Sequence, residues 1–179
     1  MTTSAHTRRL FFALWPDRRT RAALAERRAG LAGSPITDAK LHLTLVFLGP
    51  QAAAAVPGLR ALLHAVPAGP LTLELDRYGA FDGARVAWAG MRAPPAELLA
   101  LQRWLALASR PYRSGADEER AYLPHVSLTR ATPLSAPASV PLPAEMAPLR
   151  WLARHLVLVE SAGDLYRVIG SRRLSSRGG

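Results

Sequence analysis

Two short segments lying 83 positions apart repeat one arrangement of side chains, His42-Leu43-Thr44-Leu45 and His125-Val126-Ser127-Leu128. Each runs histidine, apolar residue, hydroxyl residue, leucine, and each sits in a stretch whose composition predicts a β-strand. Residues i and i+2 of a strand share a face. Each imidazole therefore projects beside a hydroxyl, while Leu43, Leu45, Val126 and Leu128 project into the core. Two such strands set face to face would present two imidazoles and two hydroxyls to a common cleft.

That set suits in-line displacement at phosphorus. The reaction needs a base on the attacking oxygen and an acid on the departing one, on opposite sides of the phosphorus. Two histidines with pKa values near ~6.5 can hold one proton between them at neutral pH. Thr44 and Ser127 can donate hydrogen bonds to the non-bridging oxygens as negative charge builds there. The pattern signals no metal and no cofactor, since no acidic cluster accompanies either histidine. A strained 2′,3′-cyclic phosphate, whose leaving group is already competent, fits such a site.

At these residues the chain resembles the 2H phosphoesterase superfamily, whose members carry two His-x-Thr/Ser-x motifs. It is most similar to the RNA 2′,3′-cyclic phosphodiesterase branch, also called the bacterial and archaeal 2′-5′ RNA ligase family. The resemblance spans nearly the whole chain. It takes in Arg9-Leu10-Phe11-Phe12-Ala13-Leu14, the first tetrad with Val46-Phe47-Leu48-Gly49 after it, the second with Pro124 before it and Thr129-Arg130 after it, and Glu160-Ser161 with Tyr166. It implies a bilobal, pseudo-twofold α+β fold, antiparallel sheets flanked by helices, with the histidines across a central groove. It also implies that His42 is the proton donor and His125 the acceptor. Serine at 127 departs from the commoner threonine, keeping the hydroxyl but losing the methyl that stiffens the rotamer.

Three further residues are candidate substrate contacts. Arg130 lies on the opposite face from His125 in an unbroken strand, so it reaches a phosphate only if the strand ends or bulges after Leu128. Phe47 and Tyr166 could stack on an unpaired base, although Phe47 shares parity with Leu43 and Leu45, which points equally to the core.

The elements that must position these groups follow from periodicity and punctuation. Arg8 to Trp15 reads as a buried strand stopped by Pro16, and Asp17 is a helix N-cap for a helix reaching Leu31. Leu41 to Leu48 is the next strand, ended by Gly49-Pro50, and Pro57 sits in the first turn of a helix to Val66. Leu71 to Arg77 alternates with period two and is expected to form a hairpin with Arg85 to Ala89 around Phe81-Asp82-Gly83. Pro94-Pro95 opens a helix through Ser109, with Leu98, Leu101, Trp104 and Leu105 at helical spacing. Residues 111–120 read as a turn, and Tyr122 to Thr129 as a strand. Residues 131–148 hold five prolines and read as a connecting arm. Leu156 to Glu160 and Leu165 to Ile169 form a last strand pair, and 171–179 reads as a frayed basic tail. The result is one domain over 1–179 in the α+β class.

Composition bounds the rest. The 179 residues include no cysteine, which removes disulfide scaffolds, thiolate metal ligands and thiol nucleophiles. No segment approaches the ~20 apolar residues of a membrane helix, and a cytoplasmic monomer is the expectation. A formal net charge of +10 favours polyanions such as RNA. Lys40 is the only lysine, however, and the arginine and alanine excess without asparagine reflects a GC-rich genome as much as a ligand. The arginine pairs 18–19, 27–28 and 172–173 are read as solvated faces. Trp15, Trp88, Trp104 and Trp151 are placed in the core, His64 on a helix surface, His155 at a strand edge and His6 in a disordered start. The partners implied are RNA with 2′,3′-cyclic phosphate ends or cyclic nucleotides. The competing function is a catalytically idle RNA or nucleotide binder on the same scaffold, which would have no need of both histidines.

Overall fold

In the computed structural model, which describes residues 7–81, 83–113, 121–130 and 142–175, the described residues form ten strands and three α-helices. Their order is β1 (Arg8–Leu14), α1 (Arg18–Arg28), β2 (Ser34–Pro35), β3 (Leu43–Gln51), α2 (Val56–Ala65), β4 (Leu71–Leu75), β5 (Arg77–Phe81), β6 (Val86–Gly90), α3 (Ala96–Ala108), β7 (His125–Arg130), β8 (Leu149–Ala153), β9 (His155–Ala162) and β10 (Leu165–Arg173). The fold is α+β. Asp17 caps α1 by accepting from the Thr20 backbone N–H at 2.7 Å, which satisfies one of the donors that a helix start leaves unpaired.

The main sheet runs β10-β9-β1-β3-β7-β6-β5, with β2 beside the end of β7, and each of its pairings is antiparallel. It is two half-sheets. The half carrying His42 contains β10, β9, β1 and β3, and the half carrying His125 contains β7, β6 and β5. Only one residue pair, Leu43 with Val126, joins β3 to β7. Both partners are middle residues of the tetrads, so the seam between the halves lies where the four polar side chains meet.

One face of the sheet is sealed by helices. Leu10, Phe12, Leu14, Leu43 and Val126 bury against Leu24 of α1, Leu59 and Leu63 of α2, and Leu98, Leu101 and Leu105 of α3. Each such side chain contributes about 1.5–3 kcal/mol on leaving water. This apolar slab holds the two tetrads in register from behind.

Several sequence expectations need correction. The residues 71–75 do alternate, but their partner is β8, a strand not anticipated, and the two form a separate ribbon. The hairpin partner of β6 is β5. At Asp76 the chain passes between sheets, its N–H bonded to the Gly90 carbonyl and its carboxylate to the Arg92 N–H. Exposed Leu152 hides the alternation of β8 from sequence. β3 continues through Gly49 and Pro50 to Gln51, paired with Arg8 to Leu10, with Gly49 adopting φ +69°. β7 begins at His125 rather than Tyr122, and α1 ends at Arg28. Ser171 to Arg173 are not frayed: they complete β10 against Leu156 and its neighbours, and Leu174 beyond them is fully buried. Asp82, residues 114–120 of the turn, 131–141 of the proline-rich arm, His6 and residues 176–179 lie outside the described residues. Among the described residues no helix is long and apolar enough to cross a membrane.

Candidate active site

His42 stands immediately before β3 and His125 opens β7, and both line one groove of about 350 Å³ with Thr44, Ser127 and Arg130. Each imidazole is anchored the same way, two residues back along its own chain. Nδ1 of His42 donates to the Lys40 carbonyl at 2.6 Å, and Nδ1 of His125 to the Leu123 carbonyl at 2.7 Å. A carbonyl can only accept, so both rings keep their neutral-state proton on Nδ1 and hold the Nε2 lone pair for other work. At His42 that lone pair accepts from the Thr44 hydroxyl at 3.0 Å.

Aromatic rings back both imidazoles. Trp15 stacks on His42 at 5.8 Å between centroids, Phe11 lies at 4.9 Å, and Tyr166 meets it edge-on at 5.4 Å. Phe81 meets His125 edge-on at 5.0 Å, with Trp88 at 5.8 Å. These rings strip water from the histidines. His42 keeps only an edge open to the groove, and burial pushes its pKa down to about 4, with the Lys40 carbonyl opposing and the positive charges of His125 and Arg130 adding to the fall. Burial also lowers His125, against the Leu123 carbonyl.

The fates of Phe47 and Arg130 rest on two matching bulges. In β3 the pairing with β1 steps from Ala13–Thr44 to Phe12–Val46, leaving Leu45 as the extra residue. In β7 the pairing with β6 steps from Trp88–Ser127 to Ala87–Thr129, leaving Leu128 extra. Each bulge is the leucine that closes a tetrad. It reverses the parity beyond it, so Phe47 turns out of the core to 59% exposure and Arg130 joins His125 and Ser127 on the groove side. The two residues occupy equivalent places, five positions after each histidine.

The sequence profile of the 2′-5′ RNA ligase superfamily matches residues 16–165. The chain belongs to that superfamily. An RNA 2′,3′-cyclic phosphodiesterase of Escherichia coli K12 is 37% identical over 127 residues, 68% of this chain and 71% of that protein. Among solved structures, LigT of E. coli complexed with 3′-AMP superposes with a TM-score of 0.78 at 28% identity, covering 96% of this chain and all of that one. TT0787 of Thermus thermophilus gives 0.75 at 27% identity, over 95% of this chain and 100% of its own. The bilobal α+β fold implied by the resemblance is thus shared with these solved structures.

The groove of this superfamily member also draws on residues that the sequence did not single out. One wall runs from β2 to Thr37, and another is the β9–β10 turn, where Asp164 joins Ser161 and Tyr166, the residues already quoted from the sequence. Lys40 spans the space between, its ammonium 3.7 Å from Asp164 and 5.4 Å from the Tyr166 ring centre. Trp151 and Trp88 are buried as expected from sequence and Trp15 partly so, and Trp15 and Trp88 are also the rings behind the histidines. A signal for the first was present: Phe11, Ala13 and Trp15 share the strand face that Leu10, Phe12 and Leu14 do not. Among the described residues no group of three or more acidic or histidine side chains is placed to hold a metal.

Proposed function

We propose that the protein hydrolyses 2′,3′-cyclic phosphate ends of RNA to 2′-phosphate ends, with His42 as proton donor and His125 as proton acceptor. One observation carries this reading: two imidazoles share a groove with Nδ1 committed to a carbonyl, so each has only Nε2 left for proton transfer. Neutral His125 takes the proton of an attacking water. The water oxygen bonds to phosphorus, the bond from phosphorus to the 3′-oxygen breaks, and protonated His42 supplies that oxygen with a proton. The phosphate stays on the 2′-oxygen. Thr44 and Ser127 donate to the non-bridging oxygens, Arg130 balances their charge, and Phe47 and Tyr166 flank the base.

The substrate class is supported by the relative named for RNA 2′,3′-cyclic phosphodiester cleavage, and a nucleotide in the groove by the relative solved with 3′-AMP. A 5′-hydroxyl in place of water gives a 2′-5′ linkage by the same displacement. The protein acts on RNA ends or on cyclic nucleotides, as a single chain with no added cofactor.

The test is to incubate the purified protein with a cyclic-phosphate-ended RNA in excess EDTA and to resolve the product ends. Hydrolysis to a 2′-phosphate is expected. Loss of activity on chelation, restored by a divalent ion, would refute the metal-independent two-histidine mechanism. A dominant 3′-phosphate product would overturn the leaving-group assignment.

A further inference from the structure

Between the two tetrads, β3 and β7 share one ladder pair, Leu43 with Val126. Next to it on β3, the carbonyl of Thr44 accepts a hydrogen bond at 3.0 Å from the hydroxyl of Tyr122. Tyr122 precedes β7 and His125, and its ring packs against the main core. We propose that Tyr122 is a positioning residue, which fixes the separation of His42 and His125 by tying one tetrad to the segment that carries the other. That role rests on the acid and base assignments proposed above.

In-line displacement places a strict demand on this separation. The acid and the base must reach oxygens on opposite sides of one phosphorus, so neither ring can be placed well alone. The bonds from each Nδ1 to a carbonyl two residues back lie within one segment. They orient each ring and leave the distance between the rings to whatever crosses the seam. Two crossings lie towards the far end of β7. The Ile36 N–H donates to the Leu128 carbonyl at 2.8 Å, and the Thr129 hydroxyl donates to the Ala32 carbonyl at 2.8 Å. Tyr122 supplies a tie at the opposite end, ahead of His125. Restrained at both ends, β7 cannot pivot about the single Leu43–Val126 pair.

The links from this tie to the two imidazoles are short and stiff. Pro124 fixes its own φ and biases Leu123 towards extended backbone. His125 closes the same stretch by donating from Nδ1 to the Leu123 carbonyl. A shift of Tyr122 is therefore passed on to the His125 ring. On the other side, Thr44 is the residue whose hydroxyl meets Nε2 of His42. Burial pushes the Tyr122 phenol above its ordinary pKa, so it stays a donor wherever the histidines work. Tyr122 does not line the groove, which separates its part from substrate contact there.

The test compares Tyr122→Phe with Tyr78→Phe, with folding checked by thermal melting. Each variant removes one hydroxyl and keeps the ring. Tyr78 donates to the Arg27 carbonyl at 2.8 Å and, like Tyr122, does not line the groove. For a cyclic-phosphate-ended RNA, Tyr122→Phe is expected to lower kcat about tenfold and hold KM within about twofold, since a 1 Å misplacement can cost ~10²-fold. Tyr78→Phe should keep both constants within about twofold. In single-turnover measurements, adding Tyr122→Phe to His42→Ala should cost less than about twofold, because a site without its acid has no separation left to disturb. Wild-type kcat in Tyr122→Phe would overturn the inference. So would an equal fall in Tyr78→Phe, which would mark a general loosening of the fold, or a raised KM with kcat unchanged, which would mark a substrate contact. A full tenfold cost in the His42→Ala background would also overturn it, by placing the effect on His125 alone. An active wild type with any of these results leaves the hydrolase reading standing, whereas an inactive wild type would sink both.

Discussion

At the scale of single residues, the proposed acid is the more demanding of the two histidines. In the proposed mechanism His42 brings a proton to the reaction, yet burial holds its pKa at about 4 in the free protein. Activity that depends on that proton falls as pH rises through the pKa. A bound phosphodiester anion favours the imidazolium and moves the pKa upward. The optimum of kcat, which reports the complex, should therefore lie at higher pH than that of kcat/KM, which reports the free protein. Coincident optima would show that substrate leaves the proton affinity of His42 untouched. Stability carries the same signature. The unfolded histidine binds a proton near pH 6.5 and the folded one resists it, so this contribution is complete above about 6.5 and is lost as pH falls towards 4. It amounts to up to about 3 kcal/mol. Urea unfolding at pH 7 and pH 5 should show His42→Phe losing less stability between the two than wild type. The hydroxyls are tested by Thr44→Val and Ser127→Ala. Each removes a donor whose bond strengthens as charge develops, so kcat should drop on the order of 10²-fold with little change in KM. Thr44→Val also frees Nε2 of His42, and of the two it should shift the pH profile more.

At the scale of elements, the bulges and the rings behind the histidines set the geometry. Gly79 of β5 lies across from Trp88 of β6, and a Cβ there would run into the indole. Gly90 would press on the same ring. Gly79→Ala should thus displace Trp88 and, through it, His125. The expected result is a loss of about 1–3 kcal/mol in stability together with a lower kcat. Normal turnover in a folded Gly79→Ala protein would show that Trp88 does not position His125, the proposed base. What sequence made legible here was what a single strand decides. The pairing of each imidazole with its hydroxyl follows from the two-residue period, and so does the burial of Leu43, Leu45, Val126 and Leu128. The placement of Phe47 was left open and that of Arg130 was made conditional, because a bulge belongs to the register between two strands. The condition set for Arg130 was that the strand end or bulge after Leu128, and β7 bulges at Leu128 itself. The partner of β4 and the role of Trp88 were hidden for the same reason, since each is settled by a neighbour distant in the chain.

At the scale of the whole molecule, part of the positive charge is spent inside the fold. Arg27 donates to the carbonyls of Ala147 and Pro148 at 2.9 Å, tying α1 to the segment before β8. Arg28 pairs with Asp38 at 2.9 Å, and Arg60 holds the Ile169 carbonyl at 2.6 Å. Arg172 reaches the His64 and Val66 carbonyls where α2 ends, a place that favours a cation. Among the described residues, the cations that line the groove and its extensions are Lys40 and Arg130, with Arg9 and Arg113 further out. RNA affinity should accordingly weaken with salt as for about two to four neutralised phosphates, a logarithmic slope of about −1.5 to −3, well short of what +10 suggests. Arg27→Ala should lower the melting temperature and leave that slope unchanged.

The interleaving of the two half-sheets bears on how the protein is made. β1 lies between β3 and β9, and Arg9 pairs with Ser161, a residue roughly 150 positions later. Contacts of such long range slow folding, because the loop must close before its reward arrives. During synthesis the apolar edge from Leu10 to Leu14 therefore waits for β9 with one side unpaired, open to other chains. Refolding should regain helical signal early and phosphodiesterase activity late, since the wall that carries Tyr166 is built from the last strands to arrive.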